Sequence, residues 1–257
     1  MNKWLLGSVL TFIALVTAGC SNYGMPERVI SVGMATNYAP LAFEKDGTPQ
    51  GVEVDFANAL EEELGTKVNV KVYAWEKLLE ALEADEIDVV MSGVSVTEKR
   101  KGLMLFSEPY MEVGQMAVIR TEDAGFLASA DQLKTGKFRV GYLQHTTGAH
   151  YVTGELKAPE SKSYTSVEDG VEGLINKEID YFIHDAPTIW QLTSSYPTDE
   201  RLFGVYTPLT KEYLAWAVKN GNTELQEELS SVVKTWQENG FITRTVNKWI
   251  PVSVTTE

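Results

Sequence analysis

The feature that most narrows the fold of this chain is an alternation of extended and helical patterns between Val29 and Met91. Val29 to Ala35 reads as a strand, and Val52 to Leu64 as a helix closed by Gly65. Lys67 to Tyr73 reads as a second strand, Glu76 to Ala84 as a helix with Leu78, Leu79 and Leu82 on one face, and Ile87 to Met91 as a third strand. A β-α-β-α-β unit of this kind makes a parallel sheet, because each helix returns the chain to start the next strand in the same direction. Ligands of open parallel sheets bind outside the carboxyl ends of the strands. The loops at that edge are Thr36 to Pro40, Ala74-Trp75, and Ser92 to Thr97.

The stretch Met91 to Arg100 carries the chemistry. Ile87 to Met91 is an apolar, largely β-branched run of the sort buried on both faces, and Ser92-Gly93 ends it where backbone approaches a ligand closely. Thr97 is placed to cap a short helix. The loop then offers the backbone of Gly93, the hydroxyl of Ser95 and the guanidinium of Arg100, a set that holds an ammonium and a carboxylate together. On these ten residues alone the plainer reading, a strand end with a capped turn and a surface arginine, is preferred.

The second half repeats the alternation without repeating the sequence. Phe138 to Leu143 and Ile179 to Ile183 read as strands; Thr146 to Leu156, Val167 to Asn176 and Ala186 to Ser194 read as helices. Val113 to Arg120 and Phe203 to Tyr206 read as extended segments joining the halves. Thr223 to Gly240 has helical periodicity in Leu225, Leu229, Val232, Val233 and Trp236, and a last helix ends near Trp249.

Residues 1–19 stand outside this pattern. Lys3 precedes an apolar run from Trp4 to Ala18, which is short of the roughly 20 residues of a membrane span and ends in Thr17-Ala18-Gly19-Cys20. The segment resembles a bacterial lipoprotein signal, cleaved before Cys20 with a lipid on its sulfur, although Thr17 stands where leucine is usual. The other reading is an ordinary secretory peptide. Cys20 is the only cysteine, so no internal disulfide forms. Residues 20–27 read as a tether, and the location implied is the periplasmic or extracytoplasmic face of the cell envelope. The chain holds 36 acidic and 22 basic residues for a net charge of −14, which excludes nucleic acid and anionic lipid headgroups as partners.

Five motifs, in order, resemble the extracellular solute-binding proteins of family 3, which serve ABC importers of polar amino acids. They are Tyr38-Ala39-Pro40, Gly51-Val52-Glu53-Val54-Asp55, the Gly93 to Arg100 loop, Phe106-Ser107-Glu108-Pro109-Tyr110, and Asp185-Ala186-Pro187. The similarity runs from about Val29 to Trp249. It implies an α/β, two-lobed periplasmic-binding-protein type II fold, each lobe a central mostly parallel sheet flanked by helices, joined by two hinge strands. Lobe 1 would be 28–117 plus 209–250, and lobe 2 would be 118–208. By the same resemblance Arg100 holds a ligand carboxylate, with Ser95 at that end and a backbone N–H of Thr147 donating to it. Gly93 offers a carbonyl, and Asp185 a carboxylate, to the ligand ammonium. Tyr38 and Trp75 would sandwich the ligand side chain.

The departures from the family pattern concern specificity. Members that take basic side chains or glutamine carry aspartate where this chain has Ala35, and the glutamine-specific form carries lysine where it has Leu143. A common second-lobe glycine is His145. His184-Asp185-Ala186-Pro187 resembles the His-Asp-x-Pro of glutamine-binding members, but a histidine ending a strand also serves structure, and both readings stand. The pocket walls expected are Met34, Ala35, Tyr38, Trp75, Leu143 and His184, which imply a neutral ligand. No cofactor or metal is expected, since no His/Cys metal spacing or phosphate-cradling glycine loop appears, and the partners implied are the ligand and an importer permease, the chain being a monomer. The competing class is an enzyme on the same scaffold, like the cyclohexadienyl dehydratases, with Glu44, His145 and His184 as candidate acids. A sensor is the third, though no transmembrane or signalling segment is expected after Glu257.

Overall fold

The computed structural model describes residues 28–250 except 157, 159 and 195–198. The signal peptide, Cys20 and the tether lie outside the described residues. Two five-stranded sheets of the same plan organise the chain. The first runs Lys67–Val72, Val29–Met34, Val89–Val90, Ala217–Lys219, Met104–Phe106. Val29–Met34 is parallel to both of its neighbours, and Ala217–Lys219 antiparallel to both of its own. The second runs Ser161–Tyr164, Val140–Leu143, Tyr181–Asp185, Gln115–Arg120, Leu202–Val205, with Gln115–Arg120 as the antiparallel member. In each sheet the antiparallel strand is the one that enters from the other lobe. The crossing is a ribbon of Met111–Val113 paired antiparallel with Glu212–Leu214. At its end Gly114 lies so close to the Thr210 carbonyl that a Cβ would collide with it, which is why glycine stands there.

Both faces of each sheet are covered. The helix Val52–Leu64 forms as read, with Gly65 in the left-handed conformation (φ 58°) donating to the Glu61 carbonyl. It buries Val52, Phe56, Ala57 and Leu60 against the Trp216 and Trp236 rings. Thr223–Glu238, capped by the Asn222 side chain, adds Leu225, Leu229, Val232, Val233 and Trp236 to the same core, as its periodicity predicts. Leu78, Leu82, Ile87, Val90 and Val94 fill the opposite face. The second sheet is packed by Leu127, Leu133, Val140 and Ile183 on one side, and by Leu174, Phe182 and Ile189 on the other.

The structure departs from the sequence reading in several places. The ladder expected over Ile87 to Met91 narrows to Val89–Val90, although Asp88 N still donates to Ser31 O at 2.8 Å and Met91 N to Gly33 O at 3.0 Å, and the Ser31 N–H donates to the Asp88 carboxylate at 2.7 Å. The helix expected from Glu76 opens as one 3₁₀ turn, Trp75–Lys77, before Leu78–Glu83. Thr146 to Leu156 is an α turn, Thr147–His150, followed by a π-helical stretch, Tyr151–Leu156. Gln115–Arg120 and Leu202–Val205 are strands of the second sheet, not links, since every residue of Gln115–Arg120 is buried. Finally, a three-stranded meander of Asn37–Tyr38, Ala42–Lys45 and Thr48–Gln50 was not read at all. Its signal was Asp46-Gly47, both at positive φ, a hairpin dipeptide.

Candidate ligand-binding site

The carboxyl ends of the two sheets face each other across a cavity of about 250 Å3, near the small end of the size range of small-molecule pockets. All eight residues carried over from the resemblance line it: Tyr38, Trp75, Gly93, Ser95 and Arg100 from the first lobe, Thr147, His184 and Asp185 from the second. Leu143 lines it too. Met34 and Ala35 do not; they are buried in the first-lobe core, where Ala35 N donates to Ser92 Oγ at 2.9 Å. Glu44 lies exposed on the meander, away from the cavity. Gln115 lines the wall and was missed.

The first-lobe loop is built as its sequence suggests. Thr97 Oγ1 accepts from Arg100 N at 3.2 Å and starts the short helix Glu98–Lys101. That turn folds the Arg100 side chain back so that Nη1 donates to Ser95 O at 2.9 Å, with the guanidinium 5.5 Å from the centre of the Trp75 ring. Gly93 has φ 64°, and a Cβ there would fall 2.5 Å from a Tyr38 ring carbon. Its N–H donates to Glu53 Oε1 at 2.7 Å. Val96 N donates to Tyr213 O at 2.8 Å, and Ala215 N to Val94 O at 3.1 Å, which stitches the loop to the returning hinge strand.

Asp185 is 8% exposed. One of its oxygens accepts from the Tyr38 hydroxyl and the other from the Gln115 side-chain amide. Burial, reinforced by the negative charge of Glu212, pushes its pKa up to about 7, against the pull of Tyr38, Gln115 and Arg100. Burial likewise brings His184 down to about 4, so its ring is neutral at pH 7. His184 Nδ1 accepts from the Asp185 N–H at 2.8 Å, which leaves the ring proton on Nε2. Tyr38 packs edge-on against this ring at 5.2 Å.

Thr146 caps the second-lobe helix, its Oγ1 accepting from Ala149 N at 3.2 Å, so Thr147, which lines the cavity, opens that helix. His145 adopts φ 60°. The chain thus takes a left-handed conformation open to glycine with a histidine in its place. Among the described residues, hydrogen bonds cross the cleft from Tyr38 to Asp185, from Trp75 Nε1 to His145 O at 3.1 Å, and from Thr188 Oγ1 to Ala39 O at 3.0 Å. The arrangement sets a cation on one lobe against an acid on the other, with aromatic rings between. Among the described residues no group of three or more His, Cys, Asp or Glu is placed to hold a metal ion.

Comparison with known proteins gives a consistent picture. The model of the bacterial extracellular solute-binding proteins, family 3, matches residues 30–252. A probable histidine-binding protein from Neisseria gonorrhoeae is 27% identical over 251 residues, 93% of this chain and 92% of that protein. The structure of an ancestral arginine-binding protein bound to arginine superposes with a TM-score of 0.77 at 26% identity, covering 87% of this chain and 99% of the other. An ancestral amino-acid-binding protein described as a precursor of cyclohexadienyl dehydratase superposes with a TM-score of 0.74 at 25% identity, covering 86% and 94%.

Proposed function

The chain belongs to the bacterial extracellular solute-binding proteins, family 3, and from that premise we propose that it captures a small amino acid, or a zwitterion like one, and hands it to an ABC importer. The observation that carries this reading is the placement of Arg100 and Asp185 on opposite lobes of one cavity. The ligand carboxylate pairs with Arg100 and the N–H of Thr147; the ammonium pairs with Asp185 and the Gly93 carbonyl. A ligand that bridges both lobes binds the closed form selectively and so drives closure. Two charge-assisted contacts of about 1.5–3 kcal/mol each, with aromatic packing, supply much of the roughly 8 kcal/mol that micromolar affinity needs. The lobes turn about the ribbon. We set their boundaries at Gly114 and Glu212, a few residues from the 117 and 208 that the resemblance implies, because Gln115–Arg120 belongs whole to the second sheet.

Leu143 on the wall argues for a neutral side chain. The acid at the pocket rim, Glu76, is exposed, and an exposed carboxylate adds little for a cation. In an equilibrium competition of neutral, basic and acidic amino acids, neutral aromatic or apolar ones are expected to bind tightest. Tighter binding of arginine or glutamate than of every neutral candidate defeats the specificity reading, and no binding of any amino acid defeats the functional one. One observation favours the enzyme reading: a cleft carboxyl with a pKa of about 7 suits a general acid. Incubation with prephenate and arogenate, followed for dehydration, separates the two.

We also infer that Cys20 carries a lipid that holds the monomer at the membrane. Cys20→Ser is expected to move the protein from the membrane fraction to the soluble one, and continued sedimentation with membranes counts against the anchor.

A further inference from the structure

A glutamine that opens an otherwise buried strand needs partners for its amide, or its burial is costly. Gln115 is 1% exposed, and its partners come from both sides of the hinge. Its Nε2 lies 3.2 Å from Thr147 Oγ1, 3.1 Å from Glu212 Oε1, and within hydrogen-bond reach of Asp185 Oδ1. Its backbone N–H donates at 2.9 Å to Thr210 Oγ1, which in turn donates at 2.8 Å to the same Glu212 oxygen. The two carboxylates fix which end of the amide is nitrogen. That nitrogen has two hydrogens for three acceptors, and Glu212 Oε2 is buried without a partner.

An acid of the site and an acid of the hinge ribbon therefore converge on one amide that cannot serve every neighbour. When both are ionised, two negative charges face each other through it, and a cation arriving at Asp185 relieves the conflict.

We propose that Gln115 and Glu212 are positioning residues for the ligand ammonium: Gln115 aims the Asp185 carboxylate, and Glu212, acting through it, makes that carboxylate demand a positive partner. The assignment rests on the amino-acid reading of the site and extends it to the hinge. The other groups facing Asp185 are Tyr38 from the meander, Arg100 from the first-lobe loop, Tyr110 ahead of the ribbon and His184 on its own strand. A ligand lacking the ammonium gains nothing from this arrangement.

The test is a carboxyl NMR titration of protein labelled with 13C-aspartate, with D185N used to assign the Asp185 signal. The wild-type midpoint is expected near 7. E212Q removes a facing negative charge and moves the midpoint down by about one pH unit, while Q115L removes a donor to the ionised form and moves it up by a similar amount. A purely structural role moves neither, or both the same way. An E212Q midpoint that stays put or rises overturns the role of Glu212, and a Q115L midpoint that stays put or falls overturns that of Gln115. Should Q115L fail to fold, Q115A takes its place under the same criterion. The titration needs no ligand, so failure of the amino-acid panel and failure of this inference remain distinct results.

Discussion

Asp185→Asn is expected to abolish amino-acid capture and, at pH 8, to make the protein alone more stable than the wild type. Loss of capture follows from removing the anion that meets the ammonium. The gain in stability follows from the raised pKa of Asp185, about 7 against an ordinary 3.8. Between those values the folded chain keeps a proton that the unfolded chain has released, so this group's contribution is full below about pH 4 and is lost as pH rises through 7. The whole loss is about 4 kcal/mol. An asparagine carries no charge, and it still offers an oxygen to Gln115 and an N–H to the Tyr38 hydroxyl oxygen. A gain of about 1–3 kcal/mol at pH 8 is the expected size after imperfect pairing. His184 works in the other direction: with its folded pKa lowered to about 4 from 6.5, its contribution is full above pH 6.5 and is lost as pH falls through 4. In the wild type the two windows oppose each other, so stability changes little between pH 4 and 6.5. In the variant only the histidine slope remains, and stability drops as the pH falls. Denaturant melts of both proteins at pH 5 and pH 8 check this, and a variant no more stable than the wild type at pH 8 would sink the argument.

The parts of the molecule that were legible in the sequence are those whose causes are local. The helix Val52–Leu64 announces its end through Gly65, and the Thr97 cap lies three residues from the N–H it binds. The site residues could be named through the family resemblance, and the loops after the first-lobe strands, which hold Tyr38, Trp75, Gly93 and Ser95, stand where the topology of an open sheet puts ligands. Gln115 and Glu212 were not legible, because their meaning is an encounter across 97 positions of chain; a lone glutamine before Met-Ala-Val-Ile gives only the hint that a buried strand opens with a polar group. Ser161–Tyr164 was missed because Ser-Lys-Ser has no apolar face, as suits an edge strand. The resemblance puts Ala35, with its neighbour Met34, at the pocket because relatives carry an aspartate at position 35, yet it is Asn37 and Tyr38, beyond that strand, that line the cavity.

Glu53→Ala is expected to cost the first lobe about 3–5 kcal/mol, a large share of the 5–15 kcal/mol typical of whole proteins. Glu53 is fully buried in the first turn of the helix Val52–Leu64, where the helix dipole favours its charge. Its two oxygens accept from Gly93 N at 2.7 Å, the Tyr110 hydroxyl at 2.6 Å and Trp216 Nε1 at 3.0 Å. Those donors come from the ligand loop, the approach to the hinge ribbon and the strand region after the second crossing, so one carboxylate ties together three segments distant in sequence. Alanine leaves three buried donors without a partner and a cavity where the carboxylate was, and each unpaired donor costs about 1–3 kcal/mol. Burial pushes the pKa of Glu53 up while the three donors hold it down. Glu53→Gln keeps one good acceptor but turns an N–H toward a donor, so it should fall between the wild type and alanine. Because Gly93 loses its tether in the alanine variant, hydrogen exchange at its N–H should speed up there by more than global unfolding accounts for, and ligand affinity should fall with it; glutamine, whose oxygen can take the Oε1 position shared by Gly93 and Tyr110, should keep Gly93 protected. Equilibrium denaturation and exchange at Gly93 give the readings; an alanine variant within about 1 kcal/mol of the wild type, with Gly93 still protected, means that the carboxylate does not hold the loop.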